Sequence, residues 1–389
     1  MEYQKKEISR KVGKIGGVLL VLGAIIVILS FVIDRERALF DYLWMYMFLI
    51  SITIGSLMLV SLEYLVGATW STPFRRVSEF LAACTPVLII LAIPLIYFSH
   101  DLYHWMNADV MEADELLKGK EPYLNLKFFL VRIGFCLLVW LIFYLLFIRN
   151  SEKQDETKDS NLTRRNITLS VIFTPLFVIT MTITAIDWMM SLEPHWYSTI
   201  FGVYYFSGTI VAALAAATII TVLLKESGYF PSKITNQHYY SLGTMMFGFN
   251  IFWAYIAFSQ FLLIWYADLP EETYWMIQRL SGGWAYISFA LLLVHFIIPF
   301  LVLLPRNAKT NPKLLKVMAI WMLCAHALDL YWLIMPSYGK DNPVFGWTEL
   351  GFPLAISGIF ILIFKLKADR KNLIPVGDPK LEAGLDFHL

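Results

Sequence analysis

Long apolar runs, separated by short polar stretches, follow one another along the whole chain. Each run reaches the roughly 20 residues that an α-helix needs to cross the hydrocarbon core of a bilayer. The alternating segments of about ten residues that build membrane β-barrels are absent from these runs. The pattern therefore predicts an all-α integral membrane protein with ten transmembrane helices, at residues 15–33, 42–66, 80–99, 128–148, 167–190, 199–224, 239–266, 282–304, 314–336 and 348–366.

The basic residues between these runs are unevenly distributed, which predicts the orientation. The N-terminus (with Lys5 and Lys6), every second loop and the C-terminal tail together carry 23 lysines and arginines, against seven in the remaining loops. Basic residues accumulate on the cytoplasmic side of membrane proteins. Both termini are therefore expected in the cytoplasm, and segment 150–161, NSEKQDETKDSN, is expected to be a polar linker on that side.

Composition supports a membrane protein and limits its chemistry. The chain is 58% hydrophobic and 16% charged, with a mean hydropathy of +0.62 and a net charge of +1. A net charge near zero argues against nucleic-acid binding. The three cysteines lie singly in apolar runs, without C-x-x-C or Cys/His motifs, so iron–sulfur clusters, covalent haem and structural zinc lack ligands. We expect no metal and no cofactor bound by this chain.

Ionisable residues inside the predicted helices are the main candidates for function. Buried charges are costly in a membrane and usually face a bundle interior or a cavity. Groups that titrate at several depths are what a proton path requires. Each group also has a structural reading, as a packed histidine or a hydrogen-bonded carboxylate. The candidate proton path consists of Glu63, Asp187, His295, His326, Asp329 and Glu349.

A second group of candidates lies toward the outer side. The segment AIDWMMSLEPHWYS at 185–198 ends a helix, and its Glu193 and His195 follow that end. Together with His100 and His104 they could form a proton exit or a quinone site. Capping and turn roles explain Glu193 and His195 at least as well.

A short repeat links two of the helices. Asp187 precedes Pro194 by seven residues, and Asp329 precedes Pro336 by the same number. The two pairs end helices that are four spans apart. Two four-helix units with the same topology would produce this spacing.

Two segments carry a resemblance to a known family. The segments TAIDWMMSLEPHWYSTIFGVYYFSG and HALDLYWLIMP closely resemble the second of the two NrfD-like integral membrane subunits of bacterial alternative complex III, a quinol:electron-acceptor oxidoreductase. The resemblance implies one polytopic domain over residues 1–389. In it, a first four-helix bundle (42–190) and a second (199–336) are flanked by helices 15–33 and 348–366, with a cytoplasmic tail at 367–389.

The resemblance also implies partners and a role. The partners would be a pentahaem cytochrome, an iron–sulfur protein, another NrfD-like subunit, a monohaem cytochrome and small membrane subunits, in the bacterial inner membrane. Haem c and iron–sulfur clusters would belong to these partners, and menaquinol or another quinol would be the substrate of the complex. This chain would be a non-redox subunit that contributes a transmembrane proton path.

Four alternatives remain open at the level of sequence. The chain could bind quinone itself within the same complex. It could be a quinol-oxidising subunit in its own right, with Asp187, His100, His104 or His195 taking the quinol proton. It could be an independent ion or metabolite transporter. It could also be a membrane b-type cytochrome, with one haem between His295 and His326.

Overall fold

The computed structural model describes residues 7–388, and ten helices in this part of the chain are long and apolar enough to cross a membrane. They are α1 (Arg10–Ile33), α2 (Arg35–Val66), α3 (Thr72–Tyr97), α4 (Leu126–Thr157), α5 (Ser160–Leu192), α6 (Phe201–Glu226), α7 (Asn236–Ala267), α8 (Trp284–Leu303), α9 (Pro312–Ser337) and α10 (Thr348–Arg370). No β-strand occurs between residues 7 and 388. The predicted all-α class and the ten helices are confirmed, whereas Lys5, Lys6 and Leu389 lie outside the described residues.

Many apolar side chains on the helices point away from the protein. Val32, Val131 and Phe289 are 78%, 64% and 65% exposed, and they belong to three different helices. Soluble monomers rarely expose apolar patches of this extent. The hydrocarbon interior of a bilayer is the solvent that such a surface fits, so the chain is a multi-pass membrane protein.

The predicted polar linker at 150–161 is wrong, because α4 continues through most of it to Thr157. Gln154 is buried there and donates from Nε2 to Thr163 Oγ1 of α5 at 2.7 Å. Lys158, with φ 53°, ends the helix, and the Asp159 side chain caps α5. Contacts of these polar residues with neighbouring segments extend the helix beyond its apolar run.

Helices α2 and α6 lie along each other at the centre of the protein. We call α2–α5 the first helix group and α6–α9 the second; α5 also packs on α6, and α9 also packs on α2. Helices α1 and α10 pair closely and lie against α2 and α3. Glycine permits this close approach, because a Cβ on Gly23 would lie 2.3 Å from the backbone nitrogen of Ala355. Small residues at such contacts are typical of membrane helix pairs.

Both ends of the described chain lie on one face, which we call the terminal face; the other is the opposite face. Ile8 N donates to Asp369 Oδ1 at 3.3 Å, and Lys233 Nζ donates to Asp386 Oδ1 at 2.6 Å. The segment after α10 folds onto this face, where Gly384 O is hydrogen-bonded with His238 Nε2 at 2.9 Å. The cytoplasmic location of this face stays a prediction.

Candidate functional site

Three of the predicted proton-path residues meet in the interior of the second helix group. His295 comes from α8, and His326 and Asp329 come from adjacent turns of α9. All three are at most 1% exposed, and one nitrogen or oxygen from each lies within 4.8 Å of the others. We call these residues the polar centre. Because His326 and Asp329 are three residues apart in a helix, they face the same side.

The local backbone of α8 is unusual where it presents His295. Residues Leu292–Ile297 form a π-turn within the helix, followed by Pro299. Proline lacks the N–H that an α-helix would use, which favours such a local rearrangement. π-turns occur frequently at functional sites. This one places the His295 ring against Trp253 of α7, with ring centroids 3.6 Å apart.

Asp329 is held by neutral donors only. The Tyr204 hydroxyl donates to Oδ1 at 2.5 Å, and Trp253 Nε1 donates to Oδ2 at 3.1 Å. Among residues 7–388, no lysine or arginine forms an ion pair with Asp329. A carboxylate without a compensating cation exchanges a proton at lower energetic cost than one fixed by arginine.

The two histidines have nitrogens without partners in the described chain. His326 Nε2 is hydrogen-bonded with Ser51 Oγ at 3.0 Å, while its Nδ1 has no partner. Neither nitrogen of His295 has one. The one proton of the Ser51 hydroxyl also has Met47 O as an acceptor at 3.0 Å; when it is directed there, His326 donates from Nε2 and keeps Nδ1 as an acceptor. Unpaired polar atoms in a buried site are costly, so these nitrogens suit internal water or a proton.

The polar centre also has the donor types of a transition-metal site. Zinc is bound by imidazole nitrogen and carboxylate oxygen at about 2.0–2.2 Å. The three candidate ligand atoms lie within 4.8 Å of one another, which is close enough for one ion to be considered. A haem between the two imidazoles would have to displace Trp253, which is stacked on His295. The expectation of no metal and no cofactor stays a prediction.

Asp187, in contrast, is an ion-paired carboxylate in the first helix group. Arg132 Nε donates to Asp187 Oδ2 at 2.6 Å, and the Tyr123 hydroxyl donates to Oδ1 at 3.0 Å. The guanidinium also lies over the Tyr123 ring, 3.8 Å from its centroid. Arg132 was visible in the sequence as a basic residue inside a span, and a buried cation requires such a partner.

Glu63 belongs to an ionic network near the terminal face. Arg75 Nη1 donates to Glu63 Oε1 at 2.8 Å, and the same arginine binds Glu79 and Asp378. Arg76 binds Glu79 at 2.5 Å and Asp155 at 2.7 Å. The network therefore joins α2, α3, α4 and the C-terminal segment, which explains why the tail folds onto this face.

Glu349 is paired as well, near the opposite face. Arg37 donates to its Oε1 from Nε at 2.7 Å, and Gly346 N donates to Oε2 at 2.7 Å. Close to it lies Asp41, a fully buried carboxyl whose two oxygens have no hydrogen-bond partner in the described chain. Asp41 was not among the candidates predicted from the sequence, because the predicted second span began at residue 42 and left this residue outside the membrane.

The four exit-region candidates lie apart from the polar centre. His100, His104 and His195 are exposed, and Glu193 is half-buried. His195 Nε2 is paired with Asp114 Oδ2 at 2.5 Å. This bond, followed by those from the N–H groups of Leu117 and Leu116, holds the pKa of Asp114 below its usual value. None of the hydrogen bonds or ion pairs of residues 7–388 joins these four residues to the polar centre.

A neighbouring cavity opens toward the surrounding lipid. Its volume is about 530 Å³, and apolar side chains of α7 and α8 form most of its wall. Phe258 and Phe289 stand at its outer side, 60% and 65% exposed. Tyr204 and Trp253, the two donors to Asp329, form part of its inner wall. The cavity therefore connects an apolar entrance with the hydrogen bonds of the polar centre.

Comparison with protein-family models and with curated protein sequences found no match to this chain.

Proposed function

We propose that this chain is a non-redox integral subunit of a bacterial quinol-oxidising respiratory complex of the alternative complex III type, and that it supplies part of a transmembrane proton path. The observation that carries the proposal is the environment of Asp329. This residue is a deeply buried carboxylate without an ion-pair partner, next to two histidines with free nitrogens. In this arrangement a proton can be taken up and passed on without breaking a salt bridge.

The resemblance described above supports the choice of complex. It would place both termini in the cytoplasm and give the helices an NrfD-like arrangement of two bundles with two flanking helices. Haem c and iron–sulfur clusters would belong to the partner subunits, and menaquinol or another quinol would be oxidised there. The grouping of α2–α5 and α6–α9 and the pairing of α1 with α10 agree with that arrangement.

The structure suggests different roles for the six predicted path residues. His295, His326 and Asp329 would carry protons at mid-membrane. Glu63, Asp187 and Glu349 each have an arginine partner, so moving a proton onto them would first require breaking an ion pair. Between Glu63 and Ser51, buried hydroxyls without partners offer positions for water: Thr53, Ser56 and Ser61.

Two experiments test the proposal. Affinity purification in mild detergent should recover this chain with a multihaem cytochrome and an iron–sulfur protein. An intact chain recovered alone and colourless would reject the complex and favour an independent transporter. In the assembled complex, Asp329→Asn should leave quinol oxidation measurable but reduce proton uptake at least tenfold, whereas Asp386→Asn at the exposed terminal face should not. Unchanged proton uptake in Asp329→Asn would reject the polar centre as part of the path.

A second candidate function is quinone binding by this chain. The observation that favours it is the lipid-facing cavity, because ligand sites are mostly apolar with a few converging polar groups. Tyr204, which forms part of the wall, already donates to Asp329. A quinone analogue carrying a photoreactive group should then label the α7–α8 region. Replacing Ala257, which lines the cavity, by a larger residue should abolish the labelling because it fills the cavity.

A further inference from the structure

Asp41 stands out among the buried acidic side chains of the described residues. It is 0% exposed, and neither carboxyl oxygen has a hydrogen-bond partner. The other buried acids within residues 7–388 all accept hydrogen bonds: Glu63, Glu79, Asp187, Asp329, Glu349 and Asp378. An ionised carboxylate in this position would have no hydrogen-bond donor from the described chain.

Donors near Asp41 on α2 and α9 are already used by other acceptors. Arg37, one helical turn earlier on α2, donates to Glu349. Trp44 Nε1, on the following turn, donates to Ala327 O at 2.6 Å. The Tyr331 ring packs against Trp44, and its hydroxyl donates to Val344 O at 2.6 Å. None of these three side chains therefore donates a hydrogen bond to Asp41.

Of the charges near Asp41, two acids disfavour a negative charge on it and one arginine favours it. Glu349, Arg37 and Asp34 are the charged groups close enough to affect it, and Tyr331 is the nearby phenol. Two of the three charges are carboxylates, and the arginine is already paired. An isolated buried carboxylate costs several kcal/mol, so such groups take up a proton instead. Arg37 can compensate the charge of only one acid at a time, either Asp41 or Glu349.

We infer that Asp41 holds a proton in the resting protein and releases it toward the opposite face, as the last buried acid of the proton path; this role rests on the proposed function. The position fits, because Asp41 lies six residues into α2, about 9 Å from the start of the helix. The next turn of α2 contacts α9 at Ala327, the residue after His326. Release breaks the O–H bond of the Asp41 acid and transfers the proton to water, and a proton from the polar centre restores the acid.

Arg37 gives this release a defined counter-charge. It lies four residues before Asp41 on the same helix, so the two side chains share one face. While Asp41 is neutral, Arg37 pairs with Glu349. When Asp41 loses its proton, the same guanidinium is the cation within reach. The Asp41, Glu349 and Arg37 group therefore alternates between one and two negative charges around a single positive charge.

The test combines infrared spectroscopy of the purified chain with proton release by the assembled complex. Asp41→Asn is nearly isosteric and keeps a neutral side chain, so the variant should fold. At neutral pH it should lose one carboxylic-acid C=O band that wild type shows. The matched variant Glu349→Gln should keep that band, because the inferred proton belongs to Asp41 and Glu349 is the partner of Arg37. In vesicles, Asp41→Asn should slow proton release on the opposite face at least tenfold while quinol oxidation continues.

The two readouts separate the two proposals. An unchanged acid band in Asp41→Asn would overturn the inference, because Asp41 would then be ionised at rest. A lost band with wild-type proton release would overturn its role in release. If the wild-type complex moved no protons across the membrane, the proposed function would fail and the release role with it. The band would still establish whether Asp41 is protonated.

Discussion

The Tyr204 hydroxyl donates a 2.5 Å hydrogen bond to Asp329, and no cation accompanies it in the described chain. The corresponding acid of the first helix group, Asp187, is bound by both a tyrosine and an arginine. The two aspartates begin the same Asp-to-Pro spacing in the sequence, but they occupy opposite electrostatic environments. A proton path requires a carboxyl without a counter-charge, as at Asp329. A fixed connection between helices uses an ion-paired carboxylate, as at Asp187.

Replacing Tyr204 tests the environment of Asp329. Tyr204→Phe removes a donor to a buried carboxyl, and we expect a loss of about 1–3 kcal/mol in the free energy of unfolding. Proton release by the assembled complex should slow, because Asp329 is left with Trp253 as its donor. Tyr103→Phe is the matched control, since Tyr103 is also buried and donates to Trp188 O at 3.1 Å. It should cost similar stability and leave proton release unchanged; equal slowing in both variants would contradict the role of Tyr204.

Breaking the Arg132–Asp187 pair tests the ion-paired environment of Asp187. Asp187→Asn leaves a buried guanidinium without its counter-charge, which should lower the free energy of unfolding by about 3–5 kcal/mol. Adding Arg132→Gln should recover part of that loss, because the double variant buries no unpaired charge. Thermal unfolding in detergent measures both. A stable Asp187→Asn variant that blocked proton release would instead support the predicted carrier role of Asp187.

The space beside His326 gives a third prediction. A Cβ on Gly208 would lie 2.7 Å from Nδ1 and Cε1 of the His326 ring. Gly208→Ala should therefore displace the ring, at a cost of about 1–3 kcal/mol, and impair proton release. Gly248→Ala is the control, because nothing lies within 4 Å of the added Cβ, and in a helix alanine gains up to about 1 kcal/mol over glycine. Wild-type stability and activity of Gly208→Ala would show that His326 is free to move.

The Asp114–His195 contact predicts a dependence on acid pH at the opposite face. The hydrogen bond from His195, with those from backbone N–H groups, lowers the pKa of Asp114 in the folded protein. The stabilisation is therefore present above the unfolded-state pKa of about 3.9 and is lost as the pH falls through the lower folded-state value.

Hydrogen exchange of the short helices Ala108–Ala113 and Glu115–Lys120 measures this effect. As the pH falls through this acid range, exchange in wild type should accelerate relative to the rate of an unstructured peptide at the same pH. Asp114→Asn should exchange faster already at neutral pH and show no further acceleration of this kind. Asp109→Asn, a change of an exposed acid in the same segment, should behave like wild type. Identical profiles for wild type and Asp114→Asn would show that the contact does not stabilise these helices.

Much of the fold follows from local sequence properties. The ten apolar runs lie in the ten long helices, because burying a backbone in lipid leaves the helix as the way to satisfy its hydrogen bonds. The proximity of His326 and Asp329 also follows from three-residue spacing on one helix. The extension of α4 to Thr157 did not follow, because its polar residues are stabilised by α3, α5 and the tail rather than by lipid.

The sequence by itself determined which residues are apolar, how many long helices they form and, apart from Asp41, which acidic and histidine side chains lie within those helices. Only the tertiary structure decided which of those groups have a counter-charge. Arg132 meets Asp187 across 55 positions, and Arg37 meets Glu349 across 312. The depth of a residue is a property of its own helix, whereas its charge partner depends on how distant helices pack. For that reason the sequence could not show that Glu349 is ion-paired with Arg37 or that the Asp41 oxygens lack a hydrogen-bond partner in the described chain.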